Sequence, residues 1–311
     1  MPPDVRPIVG DATVMRRILA DLDTVAPTDM PVLFVGESGV GKRALARYTH
    51  HRSSRKGGRF TAAECGALPK DLWHSELLGH ERGAFTGAHE QRKGLLELSH
   101  GGTLFLDTIT ELPPMLQLQL AYFLEEGTIR RLGGSERIGV SVRVLAAAQS
   151  SGYEGGKLGL KPELQLRFFL MEVPPLRERK EDIPELVDIF LRRYAERYAK
   201  PVDGLTADAY RLLTEYDYPG NVLELEALIE KAVILSQTDR LSPEDFRIRG
   251  AAQAAAEKGM REVVETTEKA MILEALIASD WVQTRAAHAV GISERMLRYK
   301  MKKLGIAKPD G

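Results

Sequence analysis

Residues 36–42 combine three glycines with one lysine in the order Gly-Glu-Ser-Gly-Val-Gly-Lys, a pattern typical of loops that bind phosphate. The glycines let backbone N–H groups turn towards a phosphate, and Lys42 brings a mobile positive charge to the β- and γ-phosphates of a nucleotide. Arg43 stands where the pattern usually has Ser or Thr. A plain glycine-rich turn is the alternative. The residues predicted to hold a nucleotide here are Gly36, Glu37, Ser38, Gly39, Val40, Gly41, Lys42 and Arg43.

Asp107 is the second candidate for nucleotide chemistry, because it ends the apolar run Leu104-Phe105-Leu106. A carboxylate that follows a buried strand in this way holds Mg²⁺ beside the phosphates in nucleotide-binding proteins. An Asp at a strand end is common by itself. Together with the phosphate-binding loop, however, Asp107 predicts a site for a magnesium-bound nucleotide.

These candidates must be positioned by neighbouring strands. Short apolar or β-branched runs predict strands at residues 31–36, 60–63, 103–107 and 141–147. Helical spacing lies between them, at residues 42–51, 71–78 and 115–126. This alternation predicts an α/β fold with a parallel sheet. After Pro175 the strand signals end, and a small helical subdomain is predicted from residues 182–198, 207–216 and 222–236.

Composition limits the class of protein. The chain has 311 residues, of which 43% are hydrophobic and 28% charged, as in ordinary soluble proteins. It contains no apolar run of about 18 residues that could span a membrane, and no secretory signal after Met1. Cys65 is the only cysteine, which excludes an internal disulfide and favours a role in packing. We therefore expect a cytoplasmic protein that does not contact membranes.

The C-terminal residues differ from the rest of the chain in charge. Residues 281–308 contain seven basic side chains and one acidic one, whereas the net charge of the whole chain is −1. Residues 283–304 have the pattern of a helix-turn-helix with its turn at 291–293. A helical hairpin with a basic rim is the alternative. The residues predicted to contact double-stranded DNA are Arg285, Ser293, Arg295, Arg298, Tyr299 and Lys302.

Packing inside this motif follows from the sizes of its residues. Ala286, Ala287 and Ala289 are small enough to let two helices cross closely. The larger residues predicted to face inward are Met296, Leu297, Met301 and Leu304. Residues 250–259 resemble a linker, and the helix predicted at 263–278 is expected to form a dimer contact.

Four phrases of the sequence together resemble the sigma-54-dependent activators, also called bacterial enhancer-binding proteins. They lie at residues 76–88, 101–107, 174–179 and 218–222, and the first contains Gly-Ala-Phe-Thr-Gly-Ala. The similarity extends over about residues 8–304. It implies an AAA+ domain that binds ATP and Mg²⁺, with a helical lid, followed by a Fis-type helix-turn-helix.

The resemblance also implies the partners of the chain. In the family the Gly-Ala-Phe-Thr-Gly-Ala loop touches RNA polymerase that carries sigma-54, and its members here are Gly83, Ala84, Phe85, Thr86, Gly87 and Ala88. From the residues alone, this is an exposed flexible loop that names no partner. The resemblance further implies a homo-oligomer, between a dimer and a hexameric ring. Arg167 matches the second of two arginine fingers that act on the neighbouring subunit's nucleotide.

Five positions depart from the catalytic pattern of the family. Thr108 replaces the Glu that usually follows the strand-ending Asp, and Glu64 replaces Asn. The other three are Ala148-Gln149 at the sensor I pair, Lys161 at the first arginine finger and Leu223 at the sensor II arginine. Gln149 is still expected to contact nucleotide, and Lys161 keeps the charge of a finger but not its planar fork. Losing a general base costs about 10²–10⁴-fold in rate, and threonine cannot replace one at neutral pH.

Two functions are therefore open. One is a motor in which ATP hydrolysis moves the loop at 83–88 to remodel the polymerase complex. The other is a nucleotide-gated DNA-binding regulator without productive turnover, which acts alone or with an active relative. We expect Mg-ATP binding with slow turnover, which Thr108→Glu alone does not restore. Compensation by Glu64, as a substitute carboxylate, is the alternative.

The domain organisation follows from these assignments. We expect a nucleotide-binding subdomain at residues 7–175, a helical lid at 176–248, a linker at 249–260 and a DNA-binding domain at 261–311. Because few residues precede Ile8, we expect no receiver or ligand-sensing domain in this chain.

Overall fold

The structure of the protein, a computed structural model, describes residues 10, 12–149 and 158–246 and parts of the C-terminal region. Those parts are residues 272–273, 275–277, 279, 281–290, 297, 301 and 306. The chain divides into two compact units, Met1–Phe246 and Arg247–Gly311. Among the described helices, none is long and apolar enough to cross a membrane.

The first unit alternates helices and strands in its first two thirds and is mainly helical afterwards. The first part contains α1 (Thr13–Val25), β1 (Val32–Val35), α2 (Lys42–Arg52), β2 (Phe60–Glu64), α3 (Trp73–Leu78), β3 (Gly79–His80), β4 (Arg92–Lys93), α4 (Leu95–Leu98), β5 (Thr103–Asp107), α5 (Pro114–Glu126), β6 (Thr128–Ile129), β7 (Ile138–Gly139), β8 (Arg143–Ala148), α6 (Pro162–Gln165) and β9 (Phe169–Glu172). The second part contains α7 (Ile183–Tyr198), β10 (Gly204–Leu205), α8 (Ala207–Glu215), α9 (Asn221–Leu235) and β11 (Arg240–Leu241).

A five-stranded parallel sheet in the order β2-β5-β8-β1-β9 forms the centre of this unit. β1 and β8 are buried along their whole length, as parallel strands are when helices cover both faces of a sheet. The α/β fold with a parallel sheet that the sequence predicted is therefore confirmed. All five strands run in one direction, so their carboxyl ends meet at one edge.

The sequence analysis missed the shortest and most exposed strands. β9 pairs with β1 at the edge of the sheet, and its side chains are only partly buried, so it carries a weak apolar signal. The prediction that strands end after Pro175 was wrong for β10 and β11, which pair in parallel over two residues each. Pairs of two residues are too short to show any periodicity.

Two apolar clusters cover the two faces of the sheet. One contains Trp73, Cys65 and the apolar residues of α5, and the other contains the buried residues of α1 and α2. Trp73 is 1% exposed, as expected of a core residue. Cys65 is also buried, and this burial raises the pKa of its thiol, which agrees with packing rather than nucleophilic chemistry.

Arg143, at the start of β8, fixes the end of α1 against the sheet. Its guanidinium is buried and donates hydrogen bonds to the carbonyl oxygens of Ala26 at 2.6 Å, Val25 at 3.2 Å and Met30 at 3.1 Å. The Ala26 carbonyl lies at the end of α1, where the last carbonyls of a helix have no partner within the helix. The contact matters for the site, because α1 carries Met15 into the cavity described below.

The second unit contains the helix Gln283–Val290 and a small core. The buried members of this core are Ile272, Leu276, Ala286, Ala287, Leu297 and Ile306, with Ala275, Trp281 and Met301 partly buried against them. Packing was correctly predicted for Ala286, Ala287, Leu297 and Met301. It was wrong for Ala289, which is exposed because it follows Ala287 by two residues, about 200° around the helix, and so lies on nearly the opposite side from it. Met296 and Leu304 lie outside the described residues.

Candidate nucleotide-binding site

The loop between β1 and α2 is folded around the side chain of Lys42. Gly39 and Gly41 have φ angles of 77° and 102°, a backbone region that favours glycine. The ammonium group of Lys42 donates hydrogen bonds to the carbonyl oxygens of Gly36 at 2.7 Å and Glu37 at 2.8 Å. Lys42 is 9% exposed. The sequence predicted a mobile cation here, whereas in the structure the loop itself holds the ammonium group. Burial lowers its pKa, and the negative charges of Asp107, Glu37 and Glu64 oppose this effect.

A cavity of about 520 Å³ opens beside this loop, within the usual size range of small-molecule sites. The sheet edge and the loop supply its polar wall: Ser38, Gly39, Val40, Gly41, Lys42, Arg43, Glu64, Asp107, Thr108 and Gln149. α1, α7 and α9 contribute an apolar wall: Met15, Leu186, Phe190, Val222 and Leu223. A site with phosphate-binding groups on one side and apolar side chains on the other suits a nucleotide.

Most of the predicted nucleotide residues therefore lie together, but two do not line the cavity. Gly36 and Glu37 contribute their carbonyl oxygens to Lys42 and lie on the other side of the loop. Of the apolar wall, only Leu223 was expected near the nucleotide, from the family resemblance. The other members come from three helices and share no motif, so only the tertiary structure brings them together.

The acidic end of the cavity lies at the carboxyl ends of β2 and β5. These strands pair in register, with Glu64 opposite Asp107. Thr108 follows in a left-handed conformation, with a φ angle of 49°, and its hydroxyl donates a hydrogen bond to Oε1 of Glu64. Its backbone N–H donates to Oδ1 of Asp107 at 3.0 Å. Burial and, next, the charge of Glu64 raise the pKa of Asp107.

Asn221, the first residue of α9, joins the lid to the phosphate-binding loop. It is fully buried, and its Oδ1 accepts a hydrogen bond from the backbone N–H of Leu176 at 2.8 Å. Its amide group donates to Oε2 of Glu37 at 3.1 Å and to the carbonyl oxygen of Ser38 at 2.9 Å. Arg177 holds the same Glu37 with both ends of its guanidinium, at 2.6 and 2.9 Å.

These partners keep Glu37 ionised. Hydrogen bonds from Arg177 and then from Asn221 lower the pKa of Glu37 from its ordinary 4.5 to about 2. A lowered carboxyl pKa stabilises the folded state above pH 4.5, and that contribution is lost as the pH falls through about 2. At neutral pH the contact between lid and loop is therefore fully formed.

Leu223 lies in the same turn of α9, at the mouth of the cavity. Its backbone N–H donates to the carbonyl oxygen of Gly39 at 3.3 Å, and its side chain is 56% exposed. A Cβ at position 39 would lie 2.2 Å from the carbonyl oxygen of Gly220, so only glycine permits this close approach. An apolar side chain thus stands at the lid position where the family pattern has an arginine.

Arg179 is a lining residue that the sequence analysis had noted only as part of a phrase. It is 4% exposed and donates a hydrogen bond to the carbonyl oxygen of Val40 at 2.7 Å. It also lies 3.8 Å from Asp182, whose Oδ1 accepts a hydrogen bond from the backbone N–H of Ala12. Arg179 therefore connects the lid to the loop and, through Asp182, to the start of α1.

Lys161 and Arg167 do not line this cavity. The backbone N–H of Lys161 donates to the side chain of Gln117 at 2.8 Å, and Arg167 pairs with Glu125 at 2.6 Å on the surface. Both side chains are exposed on the part of the chain formed by α5 and α6. Gln149, by contrast, lines the cavity directly after β8.

The Gly-Ala-Phe-Thr-Gly-Ala segment forms a tight loop between β3 and β4. The backbone N–H of Gly83 donates to the carbonyl oxygen of Ala88 at 2.8 Å, which closes the loop. Gly83 and Gly87 have φ angles of 81° and 102°. Phe85 is 46% exposed, and its ring lies edge-on to His80 with the centroids 5.0 Å apart. The expected exposure of the aromatic side chain agrees with this geometry, although the loop is internally hydrogen-bonded.

Arg131 fixes the base of this loop. It lies beside β6 and pairs with Glu81 at 2.8 Å and Glu97 at 2.6 Å. Its side chain and that of Glu97 are 10% and 8% exposed, so the contact with Glu97 is largely shielded from solvent. The loop at 83–88 is therefore anchored through Glu81 to the neighbouring hairpin.

Of the residues predicted to contact DNA, Arg285 is described and is exposed on the helix Gln283–Val290. The others, Ser293, Arg295, Arg298, Tyr299 and Lys302, lie outside the described residues. The predicted linker at 250–259 and most of the predicted helix at 263–278 also lie outside them.

The contact between Asn221 and Glu37 leads to the first prediction. We expect Asn221→Asp to lower the free energy of unfolding by about 1–3 kcal/mol, because two carboxylates then face each other where a hydrogen bond was. Affinity for Mg-ATP should fall about tenfold, since the lid no longer holds the loop. Urea denaturation and calorimetric titration measure the two effects.

The matched control is the same substitution in a Glu37→Gln background. An amide at position 37 can donate to the carboxylate at 221, so the double variant should regain part of both losses, although the bond to Ser38 and the ion pair with Arg177 stay lost. Equal losses in the single and double variants would contradict the assigned role of this contact.

Comparison with known proteins covers both units. The Sigma-54 interaction domain matches residues 8–157, the AAA+ ATPase lid domain matches 177–263, and the Fis family of bacterial regulatory proteins matches 263–304. NtrX from Brucella abortus, solved in complex with ADP, superposes with a TM-score of 0.71 at 26% identity over 96% of this chain and 70% of NtrX. The complex of NtrX with ATP gives a TM-score of 0.71 at 27% identity over the same shares of the two chains.

Three curated relatives carry the names of regulatory proteins. The response regulator protein PilR of Pseudomonas aeruginosa is 38% identical over 310 residues, which cover 96% of this chain and 70% of PilR. The Nif-specific regulatory protein of Azotobacter vinelandii is 38% identical over 96% of this chain and 59% of its own length. ZraR of Escherichia coli is 37% identical over 95% and 68%. The chain thus spans between 59% and 70% of these relatives. It belongs to the sigma-54-dependent transcriptional regulators, with an AAA+ parallel sheet, a helical lid and a Fis-type helix-turn-helix.

Proposed function

We propose that this regulator binds Mg-ATP in the cavity between the sheet edge and the lid, and reads DNA with its C-terminal helix-turn-helix. The observation that carries the first part is the convergence of Lys42, Asp107 and the lid on one cavity of nucleotide size. The related NtrX has been solved with ADP and with ATP, which supports the same ligand class here.

The donor groups at the acidic end fit Mg²⁺. Asp107 supplies carboxylate oxygens, and Mg²⁺ prefers such hard oxygen ligands together with phosphate and water. Asp107 is the residue that would hold the ion. It is more buried than Glu64, the other carboxylate at this end of the cavity, and the charges of Lys42 and Arg43 act on it. The ion would neutralise charge on the phosphates.

We further propose that ATP turnover in this chain is slow. Transition-state charge on the γ-phosphate needs cations, and Leu223 places an apolar side chain at the lid position that lines the cavity. Lys161 has the charge of an arginine finger without its planar fork. Nucleotide binding relies on other groups, the loop at 36–42 and Asp107. This favours a regulator that is gated by bound nucleotide over a fast motor.

Lys161 and Arg167 are proposed to act on a neighbouring copy of the chain. Both are exposed and lie away from the cavity of their own chain, and AAA+ proteins complete their sites between subunits. The pairing of Arg167 with Glu125 is a surface contact that costs little to exchange for a phosphate. A homo-oligomer between a dimer and a hexameric ring is therefore proposed as the functional state.

The loop at 83–88 is proposed to contact RNA polymerase that carries sigma-54. It presents the half-exposed ring of Phe85 at the end of a hydrogen-bonded turn, and aromatic side chains dominate many protein interfaces.

The domain boundaries proposed from the sequence place this loop in the nucleotide-binding subdomain at 7–175, followed by a lid at 176–248, a linker at 249–260 and the DNA-binding domain at 261–311.

Nucleotide binding is tested by Lys42→Ala. We expect the affinity for Mg-ATP to fall at least about 100-fold, because a buried charged donor to the phosphates is removed. Isothermal titration calorimetry provides the measurement, and Lys56→Ala, at an exposed position, is the control that should bind as the unmodified protein does. Equal affinity of the Lys42→Ala variant and the unmodified protein would refute the nucleotide site.

The polymerase contact is tested by Phe85→Ala. We expect its affinity for sigma-54 in the presence of Mg-ATP to fall by about 2 kcal/mol or more, as for a central aromatic interface residue. Anisotropy of labelled sigma-54 measures this effect. Leu98→Ala, at 48% exposure close to the 46% of Phe85, is the matched control and should bind normally. If both variants bind equally well, the loop is not the contact.

DNA recognition by the tail is tested by Arg298→Ala. We expect specific DNA binding to weaken by about 1–3 kcal/mol, the amount of a bidentate contact to a base. Footprinting of genomic fragments selected by the unmodified protein provides the target sequence, and Arg211→Ala in the lid is the control. A protein truncated after Gly250 that still protects a defined site would show that another part of the chain reads the DNA.

A further inference from the structure

Glu64 is the carboxylate of the cavity that the assigned roles leave unused. It ends β2 one strand away from Asp107, to which it is paired in register. Both residues line the cavity, but Glu64 is exposed whereas Asp107 is half-buried. One oxygen of Glu64, Oε1, accepts the hydrogen bond from Thr108, while Oε2 has no hydrogen-bond donor in the part of the chain that the structure describes. A fixed, solvent-facing carboxylate oxygen beside a phosphate-binding loop can accept a proton from water.

The two carboxylates have separable surroundings. Asp107 is desolvated, accepts the backbone N–H of Thr108, and is influenced by the charges of Lys42 and Arg43, which suits a residue that holds a cation. Glu64 acts electrostatically on both Lys42 and Asp107, so its charge reaches the same region. The adjacent strands thus provide one carboxylate for the ion and one that is free for the attacking water.

Thr108 explains why Glu64 is held in one orientation. Its left-handed backbone brings the side chain back across the strand end, where the hydroxyl donates to Oε1. A hydroxyl donor orients a carboxylate without bringing a second charge to it. A second carboxylate at position 108 would instead repel Glu64.

We propose that Glu64 is the catalytic base for the slow ATP hydrolysis of this chain and that Thr108 is its positioning residue. This inference depends on the proposed nucleotide site. Glu64 accepts a proton from water as the water oxygen forms a bond to the γ-phosphorus of ATP. The bond from that phosphorus to the β–γ bridging oxygen breaks, and ADP leaves with the electron pair. The proton then passes from Glu64 to solvent, so the products are ADP, inorganic phosphate and one proton.

The test measures single-turnover hydrolysis of γ-labelled ATP by excess full-length protein with Mg²⁺, together with ATP affinity. We expect Glu64→Gln to lower the hydrolysis rate about 100-fold, the lower part of the range for a lost general base, with affinity changed less than about threefold. Glu111→Gln is the matched control, because Glu111 lies near the pair but does not line the cavity. Its hydrolysis rate should equal that of the unmodified protein.

Variants at position 108 separate positioning from simple structural support. Thr108→Ser keeps the hydroxyl and should retain the rate, whereas Thr108→Val keeps the shape, loses the donor and should lower the rate about tenfold. Thr108→Glu alone should not raise the rate, because two carboxylates then face each other. The double variant Glu64→Asn with Thr108→Glu moves the carboxylate from position 64 to position 108 and places an amide at position 64. It should hydrolyse ATP faster than either of its single variants.

Each outcome decides between the claims. If Glu64→Gln hydrolyses ATP as fast as the unmodified protein, or loses ATP affinity with its rate, Glu64 is not the base. No measurable single turnover in the unmodified protein would overturn the inference as well. If the unmodified protein fails to bind ATP at all, the proposed function itself is wrong. Equal rates for Thr108→Ser and Thr108→Val would remove the positioning role of Thr108.

Discussion

The common direction of the five strands determines where the chemistry of this protein can lie. Because the strands are parallel, the phosphate-binding loop after β1, Glu64 at the end of β2, Asp107 at the end of β5 and Gln149 after β8 all emerge at one edge. Ligands of open α/β sheets bind at the carboxyl ends of the strands for this reason. A shift of β2 by one residue against β5 would turn Glu64 to the opposite face of the sheet and dissolve the acidic pair.

The carboxyl ends of the strands form one wall of the cavity, and α7 and α9 of the lid form much of the other. A few buried polar contacts hold the lid against the loop. Asn221 donates to Glu37 and Ser38, and Arg179 donates to Val40, so the lid is bonded to the backbone and side chains of the loop itself. Any movement of the loop on nucleotide binding must therefore change the lid.

Much of this could be predicted from the sequence, for identifiable reasons. The loop at 36–42 and Asp107 are local patterns whose position beside strands fixes their geometry, and β1, β2, β5 and β8 are apolar or β-branched runs of ordinary length. The roles of Asn221, Arg179 and the apolar wall could not be predicted, because their partners lie more than 100 residues away in the chain. The hydrogen bond between Thr108 and Glu64 could not be predicted either, because it depends on the register of β2 and β5. The hydrogen bonds of Lys42 to the carbonyl oxygens of Gly36 and Glu37 could not be predicted, since no sequence pattern reveals which carbonyl oxygens a side chain will meet.

The central claim is that this site holds nucleotide well and turns it over slowly. The most direct measurement determines the affinity for Mg-ATP and the steady-state turnover of the unmodified protein, in parallel with ZraR of Escherichia coli under the same conditions. Our account predicts saturable ATP binding with a turnover at least about 100-fold below that of the relative. The reason is that cations around the γ-phosphate and the usual base for the attacking water are replaced. Turnover equal to that of the relative would contradict it.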